Sequence, residues 1–498
     1  MSEEKTEVAK KKVLGTAPIV ALAMALIGPA AYGIGFFPGM LGLGTGPVLA
    51  LPVLIGTLAC IFTAVSVAVL AAKFAYSGGV YSYSREAMGV YAGFMVGWAA
   101  ILAYFFLPAA GALFAGVYGA VFITSITGVS FVGLDLIIAV LIAIIMLVVA
   151  YLGISAGART MITILVVQIL LVFVVALWAL SAAPAGTNYA APFDPSFTSW
   201  AEGGSPGNWA AIAAAGFTFF FAFYGFDGTV VFAGEAKNPY RSCALGAILC
   251  ILIVGFLYVF WAWSMMLPFT SDPTTFQSMA AAVIAAGDVS PIAAQAGTAL
   301  FGSANAGIAI LSFAMLLSAL GSGTAAALTI SRILHAMGKD EVMPKTLGKL
   351  HPKYASPYMG AILVGIVTLL FPIGAFALGI PLINAFLFTA TWCAWGVLIM
   401  YFFVNVDNIL ISRKKLTAKT FVTGILVPII GAILMAYIWV SSGIAGIPGI
   451  EEAAALEGGP WWNTMMLPGF IWMIFGAIYL IYLRAAKPEA LKRGITAV

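Results

Sequence analysis

Residues Trp209 to Ala233 read WAAIAAAGFTFFFAFYGFDGTVVFA. A bilayer core is crossed by a helix of about 20 apolar residues, and this run is long enough. It carries one charge, Asp227, inside the sequence Tyr224-Gly225-Phe226-Asp227-Gly228. Glycine weakens a helix interior, so the helix is expected to break here. A carboxylate at membrane depth is costly unless it faces a cation, a water-filled cavity or a proton, which makes Asp227 a functional candidate. The plain alternative is a cap, with Asp227 accepting from free amides of the second half-helix. The rings of Phe217, Phe219, Phe220, Phe221, Phe223, Tyr224 and Phe226 mostly read as packing. One or two of them are expected over a midplane pocket, where an aromatic face can meet a cation.

The rest of the chain has the same character. Of 498 residues, 63% are hydrophobic and 8% are charged. Ordinary soluble domains carry about 25% charged residues, so the solvent of this chain is lipid. Apolar runs fall at 14 to 37, 47 to 72, 91 to 123, 132 to 153, 160 to 181, 209 to 233, 243 to 267, 297 to 333, 358 to 379, 382 to 411, 420 to 442 and 464 to 483. They are too long and too evenly apolar for porin strands, which alternate over about ten residues. The expected fold is an all-α polytopic membrane protein with twelve transmembrane helices, since lipid offers open backbone no partner. Cys60, Cys243, Cys250 and Cys393 are scattered and read as small hydrophobes. His335 and His351, the two histidines, share one charged loop, so no haem, zinc or other cofactor is expected.

The first run holds Gly28-Pro29, Gly33-Ile34-Gly35 and Pro38-Gly39, and it too is expected to break. The two broken runs open two blocks of five, spans 1 to 5 and 6 to 10. Paired discontinuous helices at the heads of two repeats are the arrangement by which transporters hold substrate and ions at midplane. Gly42, Gly44, Gly46 and the small residues of span 3 read instead as close helix packing.

With the N-terminus inside, all 22 Lys and Arg fall on inside segments. The outside segments hold Asp135, Asp194, Glu202, Asp272, Asp288, Glu451, Glu452 and Glu457 and no base. That asymmetry places both termini in the cytoplasm and the chain in the cell membrane. The basic residues face anionic headgroups, so no nucleic-acid partner is implied. The expected division is a cytoplasmic tail at 1–12, a ten-helix core at 13–411, helices 11 and 12 at 412–484 and a cytoplasmic tail at 485–498.

Four segments carry a family likeness: Ser77-Gly78-Gly79-Val80-Tyr81-Ser82-Tyr83; Gly153-Ile154-Ser155-Ala156-Gly157-Ala158-Arg159; Phe223-Tyr224-Gly225-Phe226-Asp227 continuing to Gly234-Glu235-Ala236-Lys237-Asn238-Pro239; and Ser331-Arg332 through Gly338-Lys339-Asp340 to Met343-Pro344 and His351-Pro352. In this order they resemble the amino acid, polyamine and organocation (APC) family of secondary transporters. The resemblance implies a five-plus-five inverted repeat (the LeuT-like fold) with helices 1 and 6 broken, alternating access and a substrate between helices 1, 3, 6, 8 and 10. Counted back from Pro38-Gly39, the family's G-S-G-I break falls on Ala31-Tyr32-Gly33-Ile34, next to Gly35. Tyr32 there crowds a site that in the family takes an amino acid carboxylate on backbone amides.

The resemblance also makes Phe221 the gating aromatic and Asp227 the acidic gate position, beside Tyr224 and Gly225. Gln168 occupies the place where proton-coupled relatives often carry a lysine. Ser318 and Ser322 are candidate sodium ligands, with a proton the more expected coupling ion. Glu235, Lys237, Arg241 and Arg159 are candidates for an inner gate ion pair, against the reading of a solvated charge cluster. Membrane enzymes and redox pumps would cluster His, Cys or Glu at depth, and channels would line a continuous polar pore. Neither pattern is present in the spans. The expected protein is a non-enzymatic secondary transporter of a small amino acid or amine, with the oligomeric state left open.

Overall fold

The computed structural model describes residues 14–74, 78–415, 417–445 and 462–492. The expected tail at 1–12, Ser77, the acidic residues Glu451, Glu452 and Glu457, and the chain from Arg493 lie outside them. Among the described residues the structure is helical, with one isolated bridge between Leu14 and Ala236. Eleven helical runs are long and apolar enough to cross a membrane, and two bent pairs raise the limit to 13.

The first bent pair is α1 (Thr16–Ile27), continuing through α2 (Pro29–Gly35) and α3 (Phe37–Gly42), with a 45° bend. Next come α4 (Ala50–Lys73), the short α5 (Val80–Met88), α6 (Val90–Phe105) and α7 (Leu107–Thr127). Then follow α8 (Leu134–Leu152), α9 (Ile154–Ser181), α10 (Trp209–Phe219), the four-residue α11 (Gly228–Val231) and α12 (Pro239–Met266). The second bent pair, α13 (Pro273–Ala286) and α14 (Ser290–Phe301), folds back by 115°. The apolar runs marked at 243 to 267 and 297 to 333 leave α13 outside any span and take the end of α14 into the next one; in the structure α14 stops at Phe301 and α15 starts at Ala304. Asp272 caps α13 by accepting from the Thr275 amide. The chain ends in α15 (Ala304–Lys339), α16 (Tyr358–Ala377), α17 (Leu382–Ser412), α18 (Ala418–Phe421), α19 (Val427–Ala445) and α20 (Trp462–Ala486).

Lipid gives helices no hydrophobic reason to associate, so close packing through small residues does that work. A Cβ at Gly111 of α7 would stand 2.9 Å from the Ala319 carbonyl of α15. One at Gly396 of α17 would stand 2.7 Å from the Ala99 carbonyl of α6. Gly42 and Gly44 differ from the packing role expected of them, having open space where a Cβ would be, and Gly44 at φ +80° is a turn residue between α3 and α4. Gly46, at φ +58°, turns the chain and is closely approached, since a Cβ there would stand 2.5 Å from the Phe197 carbonyl oxygen. Across the bundle α4 packs on α12, α7 on α15 and α8 on α16, while α1 touches α11.

Candidate substrate site between the two broken helices

The two breaks meet. Gly28, in the left-handed region at φ +66°, separates α1 from α2. Gly225, at φ +115°, lies between the 3-10 turn Phe220–Phe223 and α11, and a Cβ on it would stand 2.8 Å from Leu26 Cγ. Only glycine combines that dihedral with that approach.

At the first break the orphan amides of a new helix start are all taken. Pro29 has none. The Ala30 N–H donates to Gln168 Oε1 at 3.3 Å, the Ala31 N–H to Ser318 Oγ at 2.9 Å and the Tyr32 N–H to the Gly28 carbonyl at 3.1 Å. Ser322 Oγ donates across the break to the Leu26 carbonyl at 2.8 Å. The break thus sits at Gly28, not at the expected Ala31-Tyr32-Gly33-Ile34, which are helical. Counting back from Pro38-Gly39 misses it because α2 inserts about a further turn between break and Pro-Gly. Tyr32 stacks with Phe386 at 6.4 Å between ring centroids and tilts against Phe114 at 6.2 Å. Gly33 lies directly against the Tyr258 ring, and Ile34 is buried while Gly35 is half-buried.

Asp227 at the second break is fully buried. Its Oδ1 accepts from the hydroxyls of Tyr104 at 2.5 Å and Tyr401 at 2.6 Å. Its Oδ2 has no hydrogen-bond partner. The side chain makes no capping bond to α11, so the structural role weighed for it is not the one it plays. Tyr401 Oη also accepts from the Gly225 amide at 3.3 Å, and Tyr224 Oη donates to the Ala103 carbonyl. The rings of Tyr104 and Tyr224 are 5.3 Å apart and those of Phe226 and Tyr401 4.8 Å, so the acid sits in an aromatic wall. Phe221 is nearly buried, edge-on to Phe220. Tyr104 and Tyr401 were not singled out from the sequence. The available signal was a tyrosine hydroxyl at the depth of a lone acid, since a buried Tyr O–H seeks an acceptor.

At the basic end Glu235 pairs with Arg332 of α15 at 2.8 Å, both side chains nearly buried, and the guanidinium lies 5.1 Å from the Phe232 ring centroid. Arg159, Lys237 and Arg241, the basic candidates for that ion pair, are exposed, and Glu235 pairs with Arg332 instead. Leu14 clasps this corner, donating to the Glu235 carbonyl at 3.0 Å and accepting from the Lys237 amide at 2.8 Å. A second buried pair joins Arg85 of α5 to Asp340, with the Tyr81 hydroxyl donating to the same carboxylate at 2.7 Å.

A multi-pass helical bundle with two facing broken helices and a bare carboxylate oxygen between them has the form of a membrane transporter. The chain belongs to the amino acid permease family, whose sequence profile matches residues 14–442, and it is a secondary transporter of that family. It is 26% identical over 487 residues to the low-affinity putrescine importer PlaP of Escherichia coli K12, covering 94% of this chain and 93% of that one. It is 27% identical over 379 residues to the branched-chain amino acid permease BcaP of Bacillus subtilis, covering 72% and 74%. A methylthioribose transporter of the same organism is 26% identical over 351 residues, covering 65% and 67%.

Proposed function

We propose that the protein carries small protonated amines that lack an α-carboxylate, by alternating access, with the ammonium held at Asp227. One observation carries this reading. The acceptor for a cation is bare, while every amide that could receive a carboxylate at the first break is already bonded to Gln168, Ser318 or Gly28. A buried carboxylate without a partner is expensive, and breaking a buried ion pair costs about 3–5 kcal/mol. An ammonium entering beside Asp227 removes that cost and gains the faces of Tyr104, Tyr224 and Tyr401. Tyr32, packed between Phe114 and Phe386, closes the opposite wall, and Phe221 is placed to occlude the site. The likeness to a putrescine importer over nearly the whole chain agrees with this; the likeness to a branched-chain amino acid permease favours the alternative, a neutral amino acid with its carboxylate at the altered break.

The same reading takes Thr16–Gly42 as one broken span and α13 with α14 as an outer hairpin, which gives twelve spans. The contacts of α1 with α11, α4 with α12, α7 with α15 and α8 with α16 pair four of the first five spans with the one five places on, which supports a five-plus-five inverted repeat of the LeuT-like fold over residues 13–411. Residues 412–484 add two outer helices, and both termini lie in the cytoplasm of a cell-membrane protein. Ser318 Oγ and Ser322 Oγ bond to the backbone of the first helix, and the proposed coupling ion is a proton, for which buried Asp227 offers a bare carboxylate oxygen.

Thermal stability of the purified protein tests the substrate class, because a ligand that binds only the folded state raises it. Putrescine and other small amines are expected to stabilise and their parent amino acids are not, with or without sodium. Stabilisation by leucine alone would restore the carboxylate reading.

A further inference from the structure

Four carboxylates are buried among the described residues: Asp227, Glu235, Asp340 and Asp407. Glu235 has Arg332 and Asp340 has Arg85. Asp227 has the site just described. Asp407, on α17, pairs with no cation among the described residues. It is fully buried, its Oδ2 accepts from Ser84 Oγ at 2.5 Å and its Oδ1 has no hydrogen-bond partner.

The helices packed on α17 offer it no fixed charge. They are α4, α5, α6, α7, α16, α19, α20 and the π turn Val422–Leu426. Their charged side chains are Lys73, Arg85, Glu86 and Arg484. Lys73, Glu86 and Arg484 are exposed, Lys73 donates to Ser412 Oγ at 3.1 Å, and Arg85 is bonded to Asp340. The other titratable groups on these elements are tyrosines and Cys60, uncharged near pH 7. A carboxyl group with one neutral donor and no cation needs either a proton or water.

The donor belongs to α5, and α5 bridges two helices at the basic end. Ser84 ties it to α17, while Tyr81 and Arg85 tie it to Asp340 just past α15. Withdrawal of α5 from α17 would strip Asp407 of its one donor and open it to water. The same α17 carries Tyr401, which holds Asp227 at 2.6 Å.

We propose that Asp407 is a second ion-coupling site, distinct from the substrate acid, that holds one proton on Oδ1 while Ser84 of α5 closes it off and releases that proton to water at the basic end when α5 withdraws. The step moves one proton and breaks no covalent bond other than Oδ1–H. This is independent of the substrate class proposed above.

Two measurements test it, one of them free of substrate. Infrared difference spectra of the purified protein between alkaline and acid pH should show a protonated-carboxyl band that Asp407→Asn removes and Asp227→Asn leaves, and Ser84→Ala should move the pH at which it appears. A band unchanged by both Asp407→Asn and Ser84→Ala would overturn the proposal. In proteoliposomes at zero membrane potential, steady-state putrescine accumulation should rise about tenfold per unit of acid-outside pH gradient for one coupled proton. Asp407→Asn should hold the accumulation ratio near one while retaining putrescine counterflow. A variant that still accumulates tenfold per pH unit would overturn it. If the intact protein transports no putrescine, the substrate reading fails and the infrared band alone decides the role of Asp407.

Discussion

In the proposed reading, Asp227 and the three amides that follow Gly28 set what the site accepts, one by a missing partner and the others by having partners already. Ser318 is the sharpest test of the second half. Ser318→Ala leaves the buried Ala31 amide without its acceptor, which costs about 1–3 kcal/mol. The expected outcome is a lower melting temperature that amino acids partly restore, read by thermal shift, because a carboxylate can now occupy the freed donor. A variant that melts as the original does, with no response to amino acids, would show that the bond to Ser318 does not govern that amide. At this scale the sequence reveals an acid when it stands alone in an apolar run, as Asp227 does. It conceals tyrosines such as Tyr104 and Tyr401, whose rings suit a membrane helix anywhere along its length. Asp407 lies five positions from the end of α17, and its one donor comes from α5, a neighbour in space only, which the sequence does not show.

The broken helices depend on two glycines for different reasons. Gly28 supplies a left-handed residue before Pro29, while Gly225 supplies both a positive φ and the space into which Leu26 fits. Gly225→Ala is expected to abolish transport and lower the melting temperature, since alanine at positive φ costs about 1–2 kcal/mol before any contact with Leu26. Gly42→Ala makes the control. Gly42 ends α3 with open space around it, and alanine in a helix gains up to about 1 kcal/mol over glycine. Equal losses in both would mean that the breaks are not held by glycine geometry. The existence of the breaks was legible because Gly-Pro and Tyr-Gly-Phe-Asp-Gly interrupt otherwise apolar runs. Gly28-Pro29 and Gly225 themselves mark the breaks; only the position carried over from the family, counted back from Pro38-Gly39, falls beyond Gly28, on the helical Ala31 to Ile34. The folded-back pair α13 and α14 escaped notice for a different reason: each half is shorter than a span, and only tertiary contacts set their angle.

The whole bundle is the most legible level, since lipid leaves the backbone few choices and apolar run length reports spans directly. Charge placement carries the expected orientation, since the segments read as outer have acids and no bases. Labelling checks the sidedness. All four native cysteines are buried, so one introduced thiol reports alone. Ser271→Cys, exposed between α12 and α13, is expected to react with an impermeant thiol reagent added to whole cells, and Lys414→Cys, exposed after α17, only after the membrane is opened. The reverse pattern would invert the topology and move Asp407 to the outer face.

The most direct measurement of the central claim is calorimetric titration of the purified protein and of Asp227→Asn with putrescine and with leucine. The account predicts that the unaltered protein binds putrescine and not leucine. It further predicts that Asp227→Asn weakens putrescine by about 3–5 kcal/mol, or roughly 10²- to 10⁴-fold. Leucine binding more tightly than putrescine, or putrescine affinity unmoved by Asp227→Asn, would contradict an ammonium site at Asp227.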